Sequence, residues 1–333
     1  MKIAILGAGF AGIASTWHLL QDKTANAQIT VFDENGLGGG ASGVSAGLLH
    51  PFAGLHAKLN PFGIEGFHAT KQLLTVAAEH LGKPVADYTG VLRLAFTDQQ
   101  KKGYADCAAS HSDLVKWLSP AETCRMIPGI ASAPGIFIPS GITVYSTDYL
   151  KGLWIACEKQ GAMMEKRRIH TLSELKGFTT IIVAMGASCT SLPELANLPI
   201  NAVKGQILEL EWPQDLAPLP MSLNSQIYCI MLPEKDRCLA GSTYERNFSS
   251  PDPDVAIAVK EIIPKLEALY PPLCNAKIIA CRSGVRASTP DHLPFIRKVA
   301  NNSWAIAGFG SKGLLYHALY AQRLVQELMC SSS

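Results

Sequence analysis

Three glycine-rich segments and one arginine carry the chemistry that this sequence offers. Gly7-Ala8-Gly9-Phe10-Ala11-Gly12 has the G-x-G-x-x-G spacing directly after the apolar run Ile3 to Leu6. A strand turning into a helix there would aim backbone N–H groups and a helix N-terminus at a pyrophosphate. The matching acid about 20 residues further on, which holds ribose hydroxyls, is Asp33, with its neighbour Glu34 as the rival. A second cluster, Gly40-Ala41-Ser42-Gly43-Val44-Ser45-Ala46-Gly47-Leu48, combines small side chains with two hydroxyls and suits a ligand running through the protein body. The third, Gly308-Phe309-Gly310-Ser311-Lys312-Gly313-Leu314, precedes a helical pattern, so a positive helix end could stabilise developing negative charge. An ordinary glycine-rich turn is the alternative. Arg286 stands in the apolar, Gly/Ser-flanked stretch Ser283 to Thr289. Its planar guanidinium could hold a carboxylate by two parallel hydrogen bonds, or else pair structurally with Asp291.

These residues need a frame. Strand Lys2–Leu6, a helix from about Gly9 to Leu20 and strand Gln28–Asp33 make one βαβ unit. A helical pattern follows from about Pro61 to Leu81, then a strand Val91–Phe96 and a helix near Gln99–Trp117. Ser146-Thr147-Asp148 reads as the cap of a helix to about Gln160, a short extended stretch surrounds Ile169, and Thr179–Ala184 is a buried strand leading to Gly186. Gly205–Trp212, Gln226–Leu232 and Cys238–Ser242 alternate apolar and polar residues, as antiparallel strands with one solvated or ligand-facing side should. Helix Val255–Leu269 closes that sheet. Lys277–Cys281, Ser303–Ala307 and helix Gly313–Leu328 read as a return to the first sheet. The expected fold is therefore α/β: a discontinuous Rossmann-like nucleotide domain (1–50, 145–200 and 276–333) with a second, antiparallel-sheet substrate domain (51–144 and 201–275).

Composition narrows the function. The 333 residues exceed a single small module, and 29 Lys+Arg against 27 Asp+Glu leave no strong field toward nucleic acid or anionic lipid. Apolar residues reach 48% and charged ones only 17%, which argues for a large buried core and against disorder. Nine cysteines, none in C-x-x-C or C-x-x-H spacing, indicate neither zinc nor a redox pair and fit a reducing cytoplasm. No metal is expected. The start of the chain imitates a secretory leader ending at Ala25-Asn26-Ala27, but cleavage there would remove the first strand and glycine turn. No uninterrupted run of 18 apolar residues exists, so no membrane span is expected.

The second glycine cluster resembles a signature of the D-amino acid oxidase and glycine oxidase superfamily of FAD-dependent oxidoreductases. Gly205-Gln206, Gly241-Ser242, Ser283 to Pro294 and Gly308 to Leu314 follow in that family's order. Within it the chain is most similar to the oxidase half of a bifunctional enzyme that trims carboxymethylaminomethyl-uridine at the tRNA wobble position. The methyl-transfer half has no counterpart in the sequence. The resemblance implies noncovalent FAD held by Gly7, Gly9, Phe10, Ala11, Gly12, Asp33 or Glu34, Ala41, Ser42, Ser45, Ala46, Gly47, Leu48, Ile169, Ala184, Gly186, Gly284, Arg286, Gly308, Gly310, Ser311, Lys312, Gly313 and Leu314. It gives Arg286 the substrate carboxylate. Two positions depart from the pattern: Arg297 replaces a glycine, and Ile230 a substrate-contacting tyrosine that Tyr228 could replace from the same strand face.

The implied reaction is oxidation of the C–N bond of a glycine-like or N-substituted amino acid, free or carried on tRNA, with electrons passing to oxygen or another acceptor. It needs no strong protein base, because the nitrogen lone pair drives C–H cleavage. His50 could border the flavin ring or be a hydrogen-bonded structural histidine, and Lys312 could meet substrate, oxygen or phosphate, or only solvent. In the one basic cluster, Glu165-Lys166-Arg167-Arg168, Lys166 and Arg167 are candidate RNA contacts, a plain exposed loop being the alternative. No covalent-flavin motif surrounds Cys229 or Cys281. Competing functions are a non-catalytic flavin-binding protein and an NAD-dependent dehydrogenase; the sequence leaves the oligomeric state open.

Overall fold

The structure, a computed structural model, describes residues 1–24 and 26–332, with the side chains of 331 and 332 left aside. Ala25 of the leader-like pattern thus lies outside the described residues. Strand Lys2–Leu6 runs through the middle of a six-stranded sheet, flanked on one side by Gln28–Phe32 and Met163–Glu165 and on the other by Thr180–Val183, Ser303–Ala307 and Phe295–Ala300. All neighbours are parallel except the closing hairpin Phe295–Ala307. Ile3, Ala4, Ile5 and Leu6 are buried on both faces, which is why the run is apolar without alternation. Helices Phe10–Gln21, Gly63–Leu81, Ser146–Lys159 and Gly313–Ser332 pack with one face of this sheet around Ile5, Leu73, Tyr149 and Leu324.

The second sheet has eight strands, in the order Ile278–Ser288, Asn201–Glu211, Arg237–Gly241, Tyr228–Met231, Ser222–Asn224, Val91–Leu94, Gly135–Ile138 and Lys116–Leu118. Only the pair Ser222–Asn224 and Val91–Leu94 is parallel. Helix Val255–Leu269 lays Ala258, Ile262, Leu266 and Leu269 against Leu208, Leu210 and Cys238. A small sheet of Leu48–Leu49, Ile142–Val144 and Ala86–Asp87 joins the second glycine cluster to this half. Among the described residues, no helix is long and apolar enough to cross a membrane.

Several expectations need correction. Lys277–Cys281 does not return to the first sheet: no Gly/Pro turn interrupts the chain before Pro290, so the strand runs on to Ser288 and pairs antiparallel with Asn201–Glu211. The return starts after Ser288 rather than at 276. The helix expected near Gln99–Trp117 ends at Ser110, and Lys116–Leu118 is a strand. Met163–Glu165 forms the edge strand, whereas Ile169 lies beyond it in a core cluster with Leu6, Phe32 and Val183. Tyr145 stands at the cap of the helix Ser146–Lys159 and makes no side-chain cap hydrogen bond, while Asp148, inside the first turn, pairs with Lys83 at 2.8 Å. Strand Asn201–Glu211 lacks the expected wet side: Lys204, Gln206 and Glu209 are buried. Each has partners, as a buried polar group must. Five of the cysteines (Cys107, Cys157, Cys189, Cys229 and Cys238) are buried, and all are free thiols.

Glu209 tests this arrangement. Its buried carboxylate accepts from Arg237 Nη1 at 2.7 Å and from Arg282, crosslinking three neighbouring strands. Losing one member of a buried ion pair costs about 3–5 kcal/mol, and solvent around the two arginines should reduce this to roughly 1–3 kcal/mol. Glu209→Ala should lower the urea midpoint while leaving bound-flavin content intact. An unchanged midpoint would remove this crosslink from the account of the second sheet.

Candidate active site and cofactor cradle

The glycine turn after Lys2–Leu6 is shaped by contacts on both sides. Gly7 has φ +105°, and a Cβ there would come within 2.5 Å of the Ala184 carbonyl oxygen; one on Gly12 would collide with the Gly7 carbonyl. Only glycine lets the helix start this close to the strands. Asp33 holds the turn from the next strand, its Oδ2 accepting from Ala8 N at 2.8 Å and its Oδ1 from Asn35 N at 2.9 Å. Each oxygen keeps lone-pair capacity for a diol. Glu34 is exposed and faces Arg168 at 3.5 Å, which favours Asp33 of the two rivals.

Ser42 links the second cluster to the first: its Oγ accepts from Phe10 N at 3.0 Å, while Gly38 N donates to Ala8 O at 2.9 Å. Ala41 opens a one-turn helix that rests on the second sheet, where a Cβ on Gly284 would come within 2.9 Å of Ala41 Cα. Ser45, Ala46 and Leu48 continue past Gly47, whose carbonyl accepts from Val144 N at 2.8 Å. By contrast, Cβ atoms built on Gly40 and Gly186 meet nothing within 4 Å, so part of this glycine lining faces open space. Small, closely approaching backbone on one side and space on the other fit an extended dinucleotide such as FAD.

At the other end of the cradle, Gly308 (φ +86°) and Gly310 (φ +53°) turn the chain from Ser303–Ala307 into the last helix, and Phe309 bridges to Ser288. Gly313 lies over Phe10, 3.6 Å from its ring for a built Cβ, and Leu314 is buried. The turn borders a cavity of about 240 Å³ lined by Ala53, Gly54, Val203, Tyr244, Arg286, Ser288, His292 and Lys312 as well as Gly308 to Ser311.

Arg286 is the charge of that cavity. Its guanidinium lies over Gly205 of the facing strand, at a spot any Cβ would occupy, and Nη2 donates to Ser242 Oγ at 2.7 Å. Burial pulls its pKa below the ordinary arginine value, and the groups facing it are Tyr228 and Tyr244. Among the described residues no carboxylate pairs with it. Asp291, the structural partner considered above, instead accepts from Leu293 N at 3.1 Å in an exposed turn. A cation partly withdrawn from water gains from a nearby anion, and the cavity beside Arg286 leaves room for one. Lys312 adds a second charge: burial lowers its pKa, and Nζ lies 3.5 Å from the His292 carbonyl oxygen.

The structure thus gathers Arg286, Lys312 and Tyr228. Tyr228 sits opposite Gly241, beside Ser242 and Arg286, and burial pushes its hydroxyl pKa well up while Arg286 opposes the shift. Ile230 is a buried position on the same strand face. His50 does not join the lining. It is buried with Nδ1 unpartnered, and burial together with the Arg93 charge pushes its pKa down to about 3. Arg93, missed by sequence reasoning, donates to the carbonyls of Phe52 at 2.5 Å and Gly54 at 2.6 Å and so fixes the loop that reaches the cavity. Tyr244 and His292 were also missed, although the Gly241-Ser242 motif stood only two residues before Tyr244. Arg297 is an exposed residue of the hairpin strand with its guanidinium 5.4 Å from the Phe295 ring centre, so the departure falls at the sheet surface. The basic cluster lies at the opposite edge of the first sheet, where Arg167 pairs with Glu174 at 3.0 Å and Arg168 with Glu34.

Residues 2–327 match the protein-family model described as FAD dependent oxidoreductase. The tRNA 5-methylaminomethyl-2-thiouridine biosynthesis bifunctional protein of Polaromonas naphthalenivorans is 26% identical over 98% of this chain and 56% of its own length. The chain spans a little over half the length of that relative. The glycine oxidase structure from Geobacillus kaustophilus superimposes with a TM-score of 0.85 at 22% identity, covering 98% of this chain and 94% of that one. Iminodiacetate oxidase from Chelativorans sp. BNC1 gives 0.78 at 21%, covering 98% and 95%. The last two share the fold.

Gly9 provides the test of the cradle. A Cβ there comes within 2.8 Å of Ser42 Oγ, so a bulky side chain must displace the hydroxyl that ties the two glycine clusters together. Gly9→Val should therefore purify with a small fraction of the FAD carried by the unaltered protein, read as absorbance after acid release. Full flavin content would overturn this placement of the pyrophosphate turn.

Proposed function

The chain belongs to the family of FAD-dependent oxidoreductases, and from that premise we propose that it oxidises the C–N bond of a glycine-like, N-substituted amino acid. FAD is its cofactor. The observation that carries the reading is Arg286, a half-buried guanidinium with no acid paired to it among the described residues, set over Gly205 at the wall of a small cavity. A substrate carboxylate supplies the missing anion and gains a bidentate pair, with Lys312 adding a second positive charge. Tyr228 and Ser242 brace the guanidinium from the sheet side, so the acid end of the substrate is fixed and the adjoining CH₂–N unit is presented in one orientation.

When bound, FAD supplies the two-electron acceptor. The amine R–NH–CH₂–COO⁻ gives up two electrons and two protons to become R–N=CH–COO⁻, and water then splits this into R–NH₂ and glyoxylate. Oxygen or another two-electron acceptor of small size takes the electrons onward. With R carried by a wobble uridine, this is the tRNA-modifying version of the reaction. Supporting that version is the similarity to the bifunctional tRNA enzyme across 98% of the chain. The second reading, a free glycine or sarcosine oxidase, is supported by the size of the cavity, about 240 Å³, which suits a small amino acid.

Two measurements test the carboxylate site. Arg286→Lys keeps the charge but loses the two-pronged geometry, and a charge-assisted contact is worth about 1.5–3 kcal/mol, or roughly tenfold to hundredfold in flavin reduction by substrate. Melting temperature and FAD content should change little. An unchanged reduction rate at full FAD content would remove Arg286 from the site.

Lys312 gives the pH test. Because burial lowers its pKa below the ordinary value, the cavity loses this charge as pH rises through the lowered value, earlier than a solvated lysine would. Affinity for a carboxylate substrate should fall on that alkaline limb, and Lys312→Met should flatten it. Persistence of the same limb in the variant would assign it to another group.

A further inference from the structure

We infer that Tyr244 and Arg246 form a second subsite at the mouth of the cavity, one that takes a planar heterocycle carried on the substrate nitrogen and a phosphate attached to it. The inference rests on reading the Arg286 cavity as a site for an N-substituted amino acid.

The local backbone sets up the pair. Beyond strand Arg237–Gly241, Glu245 exchanges two backbone hydrogen bonds with Lys204, both 2.9 Å, and so ties the segment back to the sheet. Thr243 and Glu245 turn to one side of this segment, where Glu245 Oε1 accepts from Gln206 Nε2 at 2.9 Å and Thr243 Oγ1 at 2.5 Å. Tyr244 and Arg246, on either side of Glu245, are both exposed. Tyr244 lines the Arg286 cavity, yet it is 53% exposed, and the Arg246 guanidinium stands 5.7 Å from its ring centre. A tyrosine anchored by a buried polar network but left open at a cavity mouth offers one free π-face at little further ordering cost.

Size and charge choose the occupant. The cavity is small, about 240 Å³, and Tyr244 stands at its exposed edge, where a heterocycle joined to the amino acid would lie. Nucleobases stack on such aromatic faces irrespective of sequence. Arg246 is exposed and has no carboxylate partner among the described residues, so it is available to a phosphate. The basic cluster at Lys166 and Arg167 has no such position: it lies at the far edge of the other sheet.

The test uses the FAD-loaded full chain and three probes: sarcosine, N-(uracil-5-ylmethyl)glycine, and the same amino acid carried on uridine 3′,5′-bisphosphate. Affinities are read anaerobically from flavin reduction, and independently from the perturbation of flavin absorbance by non-oxidisable analogues of each probe. The unaltered protein should bind the uracil probe at least tenfold more tightly than sarcosine. Tyr244→Ala should reduce that ratio by about 5- to 100-fold, the range of one base–aromatic stack, and Tyr244→Phe should restore it. Arg246→Ala should lower the ratio of bisphosphate to uracil probe and flatten its salt dependence. Retention of the uracil-to-sarcosine ratio in Tyr244→Ala, or no preference in the unaltered protein, overturns the subsite while leaving the reading of Arg286 standing. Failure of all three probes to reduce or perturb the flavin overturns both.

Discussion

An arginine half withdrawn from water, with no acid paired to it among the described residues, is the constraint around which this molecule is arranged. Arg93 and Arg286 make the point by contrast. Arg93 is the more deeply buried of the two, but two backbone carbonyls at 2.5 and 2.6 Å accept from it, and Tyr104 lies under its guanidinium at 5.0 Å. Its charge is answered within the fold. Arg286 has a serine hydroxyl and two tyrosine rings nearby, none of which carries negative charge at neutral pH. The fold tolerates that cost at one position, and the position borders an opening that an anion can reach.

The long strand Ile278–Ser288 makes this possible because it serves both halves of the site. Gly284 lets Ala41 and the second glycine cluster settle on the strand, and Arg286, two residues later, crosses Gly205 into the cavity. Period-two geometry places both on the same face. The cradle for the dinucleotide and the carboxylate site therefore share one rigid element, and the Gly308 turn closes against the same strand through the Phe309–Ser288 bridge. Sites on strands hold their side chains more closely than sites on loops.

Where local chemistry dictates the backbone, the sequence was readable. The glycine turn, Asp33 and helix Val255–Leu269 were all visible as spacing, and Arg286 was visible as a charge in an apolar stretch. What escaped depended on contacts between distant segments. Lys277–Cys281 was assigned to the wrong sheet because strand partnership is not encoded within a short apolar run. Strand Asn201–Glu211 showed polar residues at alternate positions that signal a wet face, yet Lys204, Gln206 and Glu209 are buried and satisfied by Ser250, Glu245, Arg237 and Arg282, partners 28 to 73 positions away. His50, read either as a flavin neighbour or as a hydrogen-bonded structural histidine, is buried with its Nδ1 unpartnered, and burial together with Arg93 lowers its pKa. Tyr244 and Arg246 follow a recognisable motif without belonging to it, and only the geometry of their segment brings them to the cavity.

The buried cysteines have a chemical consequence for a protein of this class. Sulfur is oxidised as thiolate, and a thiol whose pKa is raised stays protonated and reacts slowly. Burial pushes Cys189 up to about 12 and raises Cys157 as well, and the hydrogen bond with Cys238 together with burial raises Cys229. An oxidant that reaches these three sulfurs therefore meets them in their protonated form. Cys157, Cys189 and Cys229 are thus held in the form least able to be oxidised, whereas Cys274 and Cys330 lie exposed at the surface.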